Sequence, residues 1–405
     1  MGPKGGREVA DLKVFAKTIE DEALTQVNLL LAQEAFRDCK VRIMPDAHPG
    51  KGCVIGFTAD LGEKVIPNIV GVDIGCGMLT VELGKADFPL DALDRAIRAR
   101  VPFGRAMHEG RAARFPEIMN LKCFRDLKDT KRFEKSIGTL GGGNHFIEVD
   151  ADEDGNKYLV IHTGSRNLGK QVAEHYQGLA VDLLSGKGKL FDAQERLIAD
   201  YKAAGRRSEI QAEIKKLHAA FAAKKPDMPE ALCYLTGRYR DDYLHDMRIC
   251  QAYAVKNRAT IADILLSALG LAETGRFETI HNYIDLESNL VRKGAVRAAR
   301  GERLLIPVNM RDGCIVGVGR GNDDWNQSAP HGAGRLMSRH KAREVLSMDE
   351  FSASMAGVFT TSVGEDTLDE APMAYKSMDE ILSVIGDTVE IERIIRPVYN
   401  FKASE

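Results

Sequence analysis

Cysteine is scarce and badly placed for cross-linking. Seven occur in 405 residues, at Cys39, Cys53, Cys76, Cys123, Cys233, Cys250 and Cys314, an odd number with no CxxC pair. That argues against a disulfide scaffold and a zinc ribbon, and it fits a reducing cytoplasm. The opening stretch, MGPKGGREVADLKVF, has no apolar h-region and no Ser or Thr at its sixth position, so nothing in it directs the chain to export or to a membrane. Net charge is almost absent: 56 Lys and Arg against 59 Asp and Glu leave −3, which excludes a globally basic nucleic-acid coat but not a basic groove on a neutral body. No internal repeat and no low-complexity linker marks a boundary, so residues 1–405 are expected to form a single domain. At 44% hydrophobic and 28% charged, the composition is that of a soluble globular chain with a large core.

Glycine is what the chain has in excess. There are 38, and they cluster: seven in residues 50–77, seven in 138–169 and six in 313–334. Lacking Cβ, such stretches turn sharply or approach a ligand closely. Short β-branched runs between them (Val54-Ile55, Val65-Ile66, Ile69-Val70, Val160-Ile161, Cys314-Ile315-Val316) read as strands, so an α/β (α+β) chain with β-rich layers is expected. A helix is expected over 23–37, with Leu24, Val27 and Leu31 on its apolar face, and another over 91–100. Residues 177–259 read as a helical insertion projecting from the body, broken near Gly205 and at Lys225-Pro226. Within it, residues 187–225 hold ten Lys and Arg against five Asp and Glu; this is either a solvated face or a phosphate-contacting arm. A second basic run, Arg292, Lys293, Arg297, Arg300 and Arg303, has only Glu302 to offset it.

Each glycine cluster also carries groups able to do chemistry. Val72-Asp73-Ile74-Gly75-Cys76-Gly77 puts a carboxylate and a thiol three residues apart, within reach of one metal ion. His145 follows three glycines, His162 ends an apolar strand, and His281 stands in a similar setting. Any one of these histidines is more simply a satisfied core residue. Together Asp73, Cys76, His145, His162 and His281 supply the borderline donor set that suits zinc, manganese, cobalt or iron, with a thiolate able to bridge two ions. His331, between Pro330 and Gly332 and followed by Arg335 and Arg339, reads as a group at a helix N-terminus beside anion-binding donors. There is no GxxxxGK[ST] loop and no Lys-x-Asp-Gly motif, so a nucleotide handled here must meet different catalytic parts.

His48-Pro-Gly-Lys51-Gly, Val72-Asp73-Ile-Gly-Cys76-Gly, Gly-Asn144-His145-Phe-Ile-Glu148, His162-Thr-Gly-Ser-Arg166, His281-Asn282-Tyr283 and His331-Gly-Ala-Gly-Arg335 resemble, in order, the motifs of the RtcB family of RNA-splicing ligases. The resemblance runs from about residue 40 to Lys402. It implies a compact RtcB-like fold around a central dimetal cleft, and GTP- and Mn²⁺-dependent joining of RNA ends bearing a 3′-phosphate or 2′,3′-cyclic phosphate to 5′-hydroxyl ends. By position, Cys76 would bridge two Mn²⁺ ions, with Asp73 and His145 on one and His162 and His281 on the other. His331 would be the nucleophile that becomes guanylylated. Asn144, Glu148, Asn282, Pro307, Val308, Asn309, Met310, Cys314, Gly332, Ala333, Gly334 and Lys402 would surround GMP, together with His145, His281 and His331, and Glu148 and Lys402 would face the guanine. Lys51, Arg166, Arg335 and Arg339 are candidate contacts to RNA phosphates. The family also makes room for an accessory protein, archease.

One segment departs from the family pattern. Where many members read Pro-Gly-Ser/Thr-Met-Gly, this chain reads Pro307-Val308-Asn309-Met310-Arg311-Asp312-Gly313, and Cys314 stands where serine is common. Val308 and Arg311 replace two glycines. That departure keeps open an end-processing alternative, a cyclic-phosphate-processing or 3′-end guanylyl-capping enzyme; a non-catalytic RNA-binding paralogue is a third reading, opposed by the intact ligand set.

Overall fold

The computed structural model describes residues 11–50, 52–221 and 224–403. The larger of its sheets is antiparallel, in the order Arg303–Asn309, Gly313–Gly319, Val389–Lys402, Phe146–Ala151, Lys157–Thr163, Gly77–Gly84, Gly275–Ile280, with Phe359–Thr360 added parallel to Val389–Lys402. Its two ends meet. The backbone N–H of Leu305, on the first strand, donates to Thr279 Oγ1, on the last, at 3.1 Å, so the sheet is nearly a closed barrel. Side chains alternate across the pleat. Met78, Phe146, Val160, Leu305, Cys314, Val316 and Ile395 pack together on one face, while Leu79, Val81, Ile147, Val149, Ile161 and Phe401 pack on the other with helices Leu90–Arg100 and Gly237–Leu269.

A five-stranded sheet lies beside it, in the order Asp11–Val14, Lys40–His48, Ile55–Asp60, Leu290–Lys293, Asn282–Asp285. Only His281 separates Gly275–Ile280 from Asn282–Asp285, so one residue carries the chain from the large sheet into the smaller one. Its N–H donates to the Cys76 carbonyl at 3.0 Å and its carbonyl accepts from Gly294 N–H at 2.8 Å. A two-stranded ribbon, Ala295–Arg297 with Ser328–Pro330, completes the β layers and delivers the chain to His331.

The 33-residue helix Gly237–Leu269, about 50 Å long at 1.5 Å per residue, runs through the core and ends at Gly270 in the left-handed conformation. Buried polar residues along it fasten loops from elsewhere. Asp246 accepts from the N–H groups of Lys122 and Cys123 and from the Tyr176 hydroxyl. Asn257 Oδ1 accepts from the N–H groups of Gly138 and Thr139. Arg258, fully buried, donates to the carbonyls of Gly75 and Thr163 and pairs with Glu278.

Several expectations need correction. The helix expected over 23–37 is Asp21–Leu31, and it buries Ala23, Val27 and Leu30; Leu24 is exposed. Two overlapping stripes were available there, and packing selected the one a residue away. Ile69-Val70 is not a strand but part of the helical turn Pro67–Val70, where Pro67 at the first position pre-sets the helical φ. Val65 makes only an isolated bridge to Leu235. Breaks do fall at Gly205 and at Lys225-Pro226, yet the helical stretch does not simply project: Arg166–Asp182 and Gly237–Leu269 pack in the core, and mainly Gly188–Ala203 and Ile210–Ala220 are exposed. No helix among the described residues is long and apolar enough to cross a membrane.

Candidate metal centre and adjoining cavity

Five donor groups predicted from four motifs converge at the end of the large sheet. Cys76 Sγ lies 3.5 Å from His145 Nε2 and 3.3 Å from His162 Nε2. Asp73 Oδ2 lies 3.0 Å from His145 Nε2, and His162 Nε2 lies 3.1 Å from His281 Nε2. The donors form two triplets, Asp73–Cys76–His145 and Cys76–His162–His281, that share the thiol. Register explains the gathering: Met78, His162 and Phe146 are cross-strand partners, so residues just beyond them meet at one end of the barrel. The turn that carries Asp73 and Cys76 needs Gly75 at φ +71, where a Cβ would press on the backbone of Gln251 at 2.9 Å. Gly164 leaves room for the Asp73 carboxylate, which any Cβ there would strike.

The electrostatics suit ligation. Burial, and then the neighbouring histidines, hold His162 well below the ordinary imidazole range; burial and His331 do the same for His281. Both rings are therefore neutral. Their Nδ1 atoms are buried without hydrogen-bond partners, whereas His145 Nδ1 donates to the Leu140 carbonyl at 2.9 Å. With protons on Nδ1, the Nε2 lone pairs turn toward the shared space, the tautomer a metal takes. Burial pushes the Asp73 carboxyl up, but its hydrogen bond to His145 and that charge outweigh it and leave it at about 2. Burial and Asp73 push the Cys76 thiol far up, so it needs a bound cation to ionise. One thiol, one carboxylate and three imidazoles, gathered into two donor triplets that share the thiol, fit a metal site better than a closed hydrogen-bond network.

His331 stands next to this cluster, its ring centroid 4.7 Å from that of His281. Its Nδ1 lies 2.5 Å from Asp46 Oδ2, which also accepts the N–H groups of His331 and Gly332. The expected helix N-terminus is absent at this point. The helix starts at Arg339, capped by Ser338, because Gly334 at φ +76 turns the chain away first.

A cavity of about 650 Å³ opens beside His331. Asn144, Glu148, Pro307, Val308, Asn309, Met310, Gly332, Ala333, Gly334 and Lys402 all line it, as do Arg335 and Arg339 at one end. His145 and His281, also expected around GMP, are not in its lining and belong to the donor triplets, and Asn282 and Cys314 do not line it either. The Asn282 amide oxygen accepts Gly294 N–H at 3.0 Å, and Cys314 lies behind Glu148, its Sγ 3.8 Å from Glu148 Oε1. Lys402 pairs with buried Glu370 at 2.6 Å, and Glu148 is met by the amide of Asn400. The departing loop is a tight turn of its own: Asn309 Oδ1 accepts the N–H groups of Arg311 and Asp312, while Val308 packs in a cluster with Ile306 and Ala333.

Three of the four candidate phosphate contacts fall within the described residues, and Lys51 lies outside them. Arg335 is buried and spends its donors on the carbonyls of Met337 and Asp369, on Tyr375 and on Glu370. Arg339 is half exposed but paired with Asp369 and Glu370. Arg166, in the left-handed region at φ 55, donates to Thr139 Oγ1 and the Gly104 carbonyl. Three arginines of the second basic run are also spent internally: Arg292 and Arg297 meet Asp285, Arg297 also meets Glu287 and Glu302, and Arg303 meets Glu82 and Glu392, while Arg300 is exposed. Glu302 lies within the run, but Glu82 and Glu392 come from distant segments that charge counting along it does not see.

Asp46, Arg258 and Glu370 escaped the sequence reading. Asp46 had a signal, a carboxylate two residues before His48 at the end of a strand. Glu370 had none, since the acidic run around it reads as a solvated face.

Comparison with known proteins bears on this arrangement. A family model described as tRNA-splicing ligase RtcB matches residues 30–123 and 117–403. The chain is 29% identical to the RNA-splicing ligase RtcB of Escherichia coli (strain K12), over 96% of this chain and 97% of that protein. It is 25% identical to the tRNA-splicing ligase RtcB of Aeropyrum pernix over 96% and 93%, and 26% identical to the RNA-splicing ligase RtcB of Mycobacterium tuberculosis over 88% and 94%.

Proposed function

The chain belongs to the RtcB family of RNA ligases, and from that membership we propose a cytoplasmic, GTP- and Mn²⁺-dependent enzyme that joins RNA 3′-phosphate or 2′,3′-cyclic phosphate ends to 5′-hydroxyl ends. Asp73, Cys76, His145, His162 and His281 would hold two Mn²⁺ ions, which when bound offset the negative charge that repels a nucleophile from a triphosphate. His331 is the nucleophile. Asp46 holds the proton on Nδ1, which leaves the Nε2 lone pair free to attack the α-phosphorus of GTP with loss of pyrophosphate. A 2′,3′-cyclic phosphate end is first hydrolysed by water to the 3′-phosphate; the phosphoramidate then passes GMP to the 3′-phosphate, and the 5′-hydroxyl displaces GMP. The cavity residues Asn144, Glu148, Pro307, Val308, Asn309, Met310, Gly332, Ala333, Gly334 and Lys402 bind the nucleotide. Residues 1–405 act as one RtcB-like domain in this reading, supported by Asn257 and Arg258, which tie the helical stretch 177–259 to the loops carrying the metal ligands. Archease is the partner to test for faster guanylylation.

The observation that carries this reading is the position of His331, oriented by Asp46, 4.7 Å between ring centroids from His281 and at the wall of a nucleotide-sized cavity. The test is incubation with α-labelled GTP and Mn²⁺, followed by RNA with cyclic-phosphate and 5′-hydroxyl ends. An acid-labile adduct that disappears in His331→Ala, and joined RNA, are expected. Absence of any adduct in the unmodified protein overturns the mechanism. GMP transfer to RNA without joining favours the end-capping alternative, for which the altered Val308–Cys314 loop is the motive.

A further inference from the structure

Glu148, Asp150 and Cys314 form a third donor triplet, apart from the two that share Cys76. Glu148 and Asp150 are two residues apart on the strand Phe146–Ala151 and so share a face, and Cys314 comes from the strand Gly313–Gly319. Their donor atoms lie within 4.8 Å of one another, and all three residues are almost fully buried. Cys314 Sγ is 3.8 Å from Glu148 Oε1. Bonds of about 2.3 Å to sulfur and about 2.0 Å to oxygen, at a tetrahedral angle, set two ligand atoms about 3.5 Å apart. The observed gap is therefore close to the span of one ion.

Hydrogen bonding within the protein does not account for the group. Both carboxylate oxygens of Asp150 are buried without a hydrogen-bond partner, and so is Asn400 Oδ1. Asn400 stands opposite Glu148 on the strand Val389–Lys402 and donates its amide N–H to Glu148 Oε2, which puts that amide at the edge of the triplet. Cys314 packs with Met78, Phe146, Val160, Leu305 and Ile395, an apolar surrounding in which unpaired charge is costly. The cations on the neighbouring strand are spent elsewhere, Lys402 on Glu370 and Arg393 on Asp152, and the Tyr158 hydroxyl also goes to Asp152. Burial, and then the acidic neighbours, push Glu148 and Cys314 well above their ordinary values, and burial takes Asp150 to about 7. The three groups ionise together only around a cation.

We propose that Glu148, Asp150 and Cys314 bind a third divalent ion, of the zinc class, with the Asn400 amide oxygen as fourth donor. A thiolate with carboxylates is a borderline donor set that favours zinc or cobalt over magnesium or calcium, and four protein donors make a closed, structural site. The ion enters from the cavity, which Glu148 lines, and releases the ligands' protons as it binds. It ties the adjacent strands Phe146–Ala151, Val389–Lys402 and Gly313–Gly319 together at the cavity wall. With Glu148 facing guanine, the ion also keeps that carboxyl ionised, the form that accepts both N1–H and the exocyclic amine. A carboxylate has about four lone-pair sites, enough for metal and base together. Only this consequence rests on the nucleotide reading; the ion site stands without it.

Cobalt(II) is the probe, because a thiolate bound to it gives charge-transfer absorption in the near ultraviolet. It is added to the full chain after chelation and gel filtration. In Cys76→Ala the thiol shared by the other two triplets is gone, and one cobalt per chain is expected to keep a thiolate band. Asp150→Asn in that background is expected to weaken this binding by about 100-fold or more. Cys314→Ser in the same background is expected to remove the band, and serves if the Asp150→Asn chain does not fold. Should Cys76→Ala itself not fold, Cys314→Ser in the otherwise unmodified chain is expected to lower tightly bound cobalt from three per chain to two. No thiolate band in folded Cys76→Ala, a band that persists in Cys76→Ala/Cys314→Ser, or a cobalt count that Cys314→Ser leaves unchanged overturns the proposal. Failure of the nucleotide reading shows separately, as unchanged GTP affinity in Glu148→Gln.

Discussion

Asp46 Oδ2 accepts three hydrogens, from the ring Nδ1 and the backbone N–H of His331 and from the N–H of Gly332, with the ring contact at 2.5 Å. One oxygen therefore fixes both the position of His331 and its tautomer. In Asp46→Asn an amide that turns its NH₂ toward the ring stabilises the opposite tautomer and puts a proton on the nitrogen that must attack. Adduct formation with labelled GTP is expected to slow by about 10²–10⁴-fold with little change in melting temperature. A variant that labels at the ordinary rate shows that Nδ1 is not held by Asp46 during attack.

Cys76 belongs to both donor triplets, so its loss damages both. Cys76→Ala is expected to abolish tight binding at one position and weaken the other, with metal content per chain measured by elemental analysis after gel filtration. Loss of His281 alone removes a ligand from one triplet only. If Cys76→Ala and His281→Ala retain the same metal content, the thiol is not shared between ions.

Four of the five donors, Asp73, Cys76, His145 and His162, were legible because they stand inside glycine-rich motifs, whereas His281 stands in a segment without glycine. What folds those motifs together was not legible. Arg258 sits in the middle of a 33-residue helix whose charged residues are spread along its length, and nothing marks one arginine among them as fully buried. Asp285 and Glu82 reach the second basic run from other strands, so Arg292, Arg297 and Arg303 are paired and the apparent excess of charge is reduced on folding. The strands were legible where β-branched residues sit in an apolar run, as in Val160-Ile161, and misread at Ile69-Val70, where Pro67 set a helical turn.

Arg258 donates to Gly75 and Thr163, the carbonyls that flank the loops of Cys76 and His162, and also pairs with Glu278. Removing it leaves two carbonyls and a carboxylate without their partner. Arg258→Met is expected to cost about 3–5 kcal/mol in denaturant unfolding, the range for breaking a buried charge pair. Metal content should fall as well, since the loops lose their common anchor. A variant of unchanged stability shows that water replaces the guanidinium without cost.

Glu370 answers a pH question. Burial raises its carboxyl, but Lys402, Arg339 and Arg335 outweigh burial and hold it at about 2. A carboxyl depressed on folding contributes stability above its unfolded value near 4.5, and that contribution is lost as pH falls from 4.5 toward 2. The loss is on the order of 3 kcal/mol. Unfolding at pH 7 and at pH 3 should therefore converge in Glu370→Gln relative to the unmodified protein. Equal pH sensitivity in both places the acid-sensitive groups elsewhere.

RNA must find cations that the fold has not already used. Arg335 and Arg339 are bound to Asp369 and Glu370, and Arg297 meets three carboxylates, whereas Lys189, Arg196, Lys202, Arg207 and Lys215 are exposed on the helical stretch and take part in no ion pair among the described residues. Charge reversal at Lys202 and Lys215 is expected to weaken RNA binding at every sequence. The slope of log affinity against log salt should fall by about one for each phosphate that is no longer neutralised. Arg297→Ala should leave that slope unchanged and lower stability instead. The opposite pattern, a reduced slope in Arg297→Ala and none at Lys202 and Lys215, would put the RNA on the face of the Ala295–Arg297 ribbon and make the exposed helices a solvated surface.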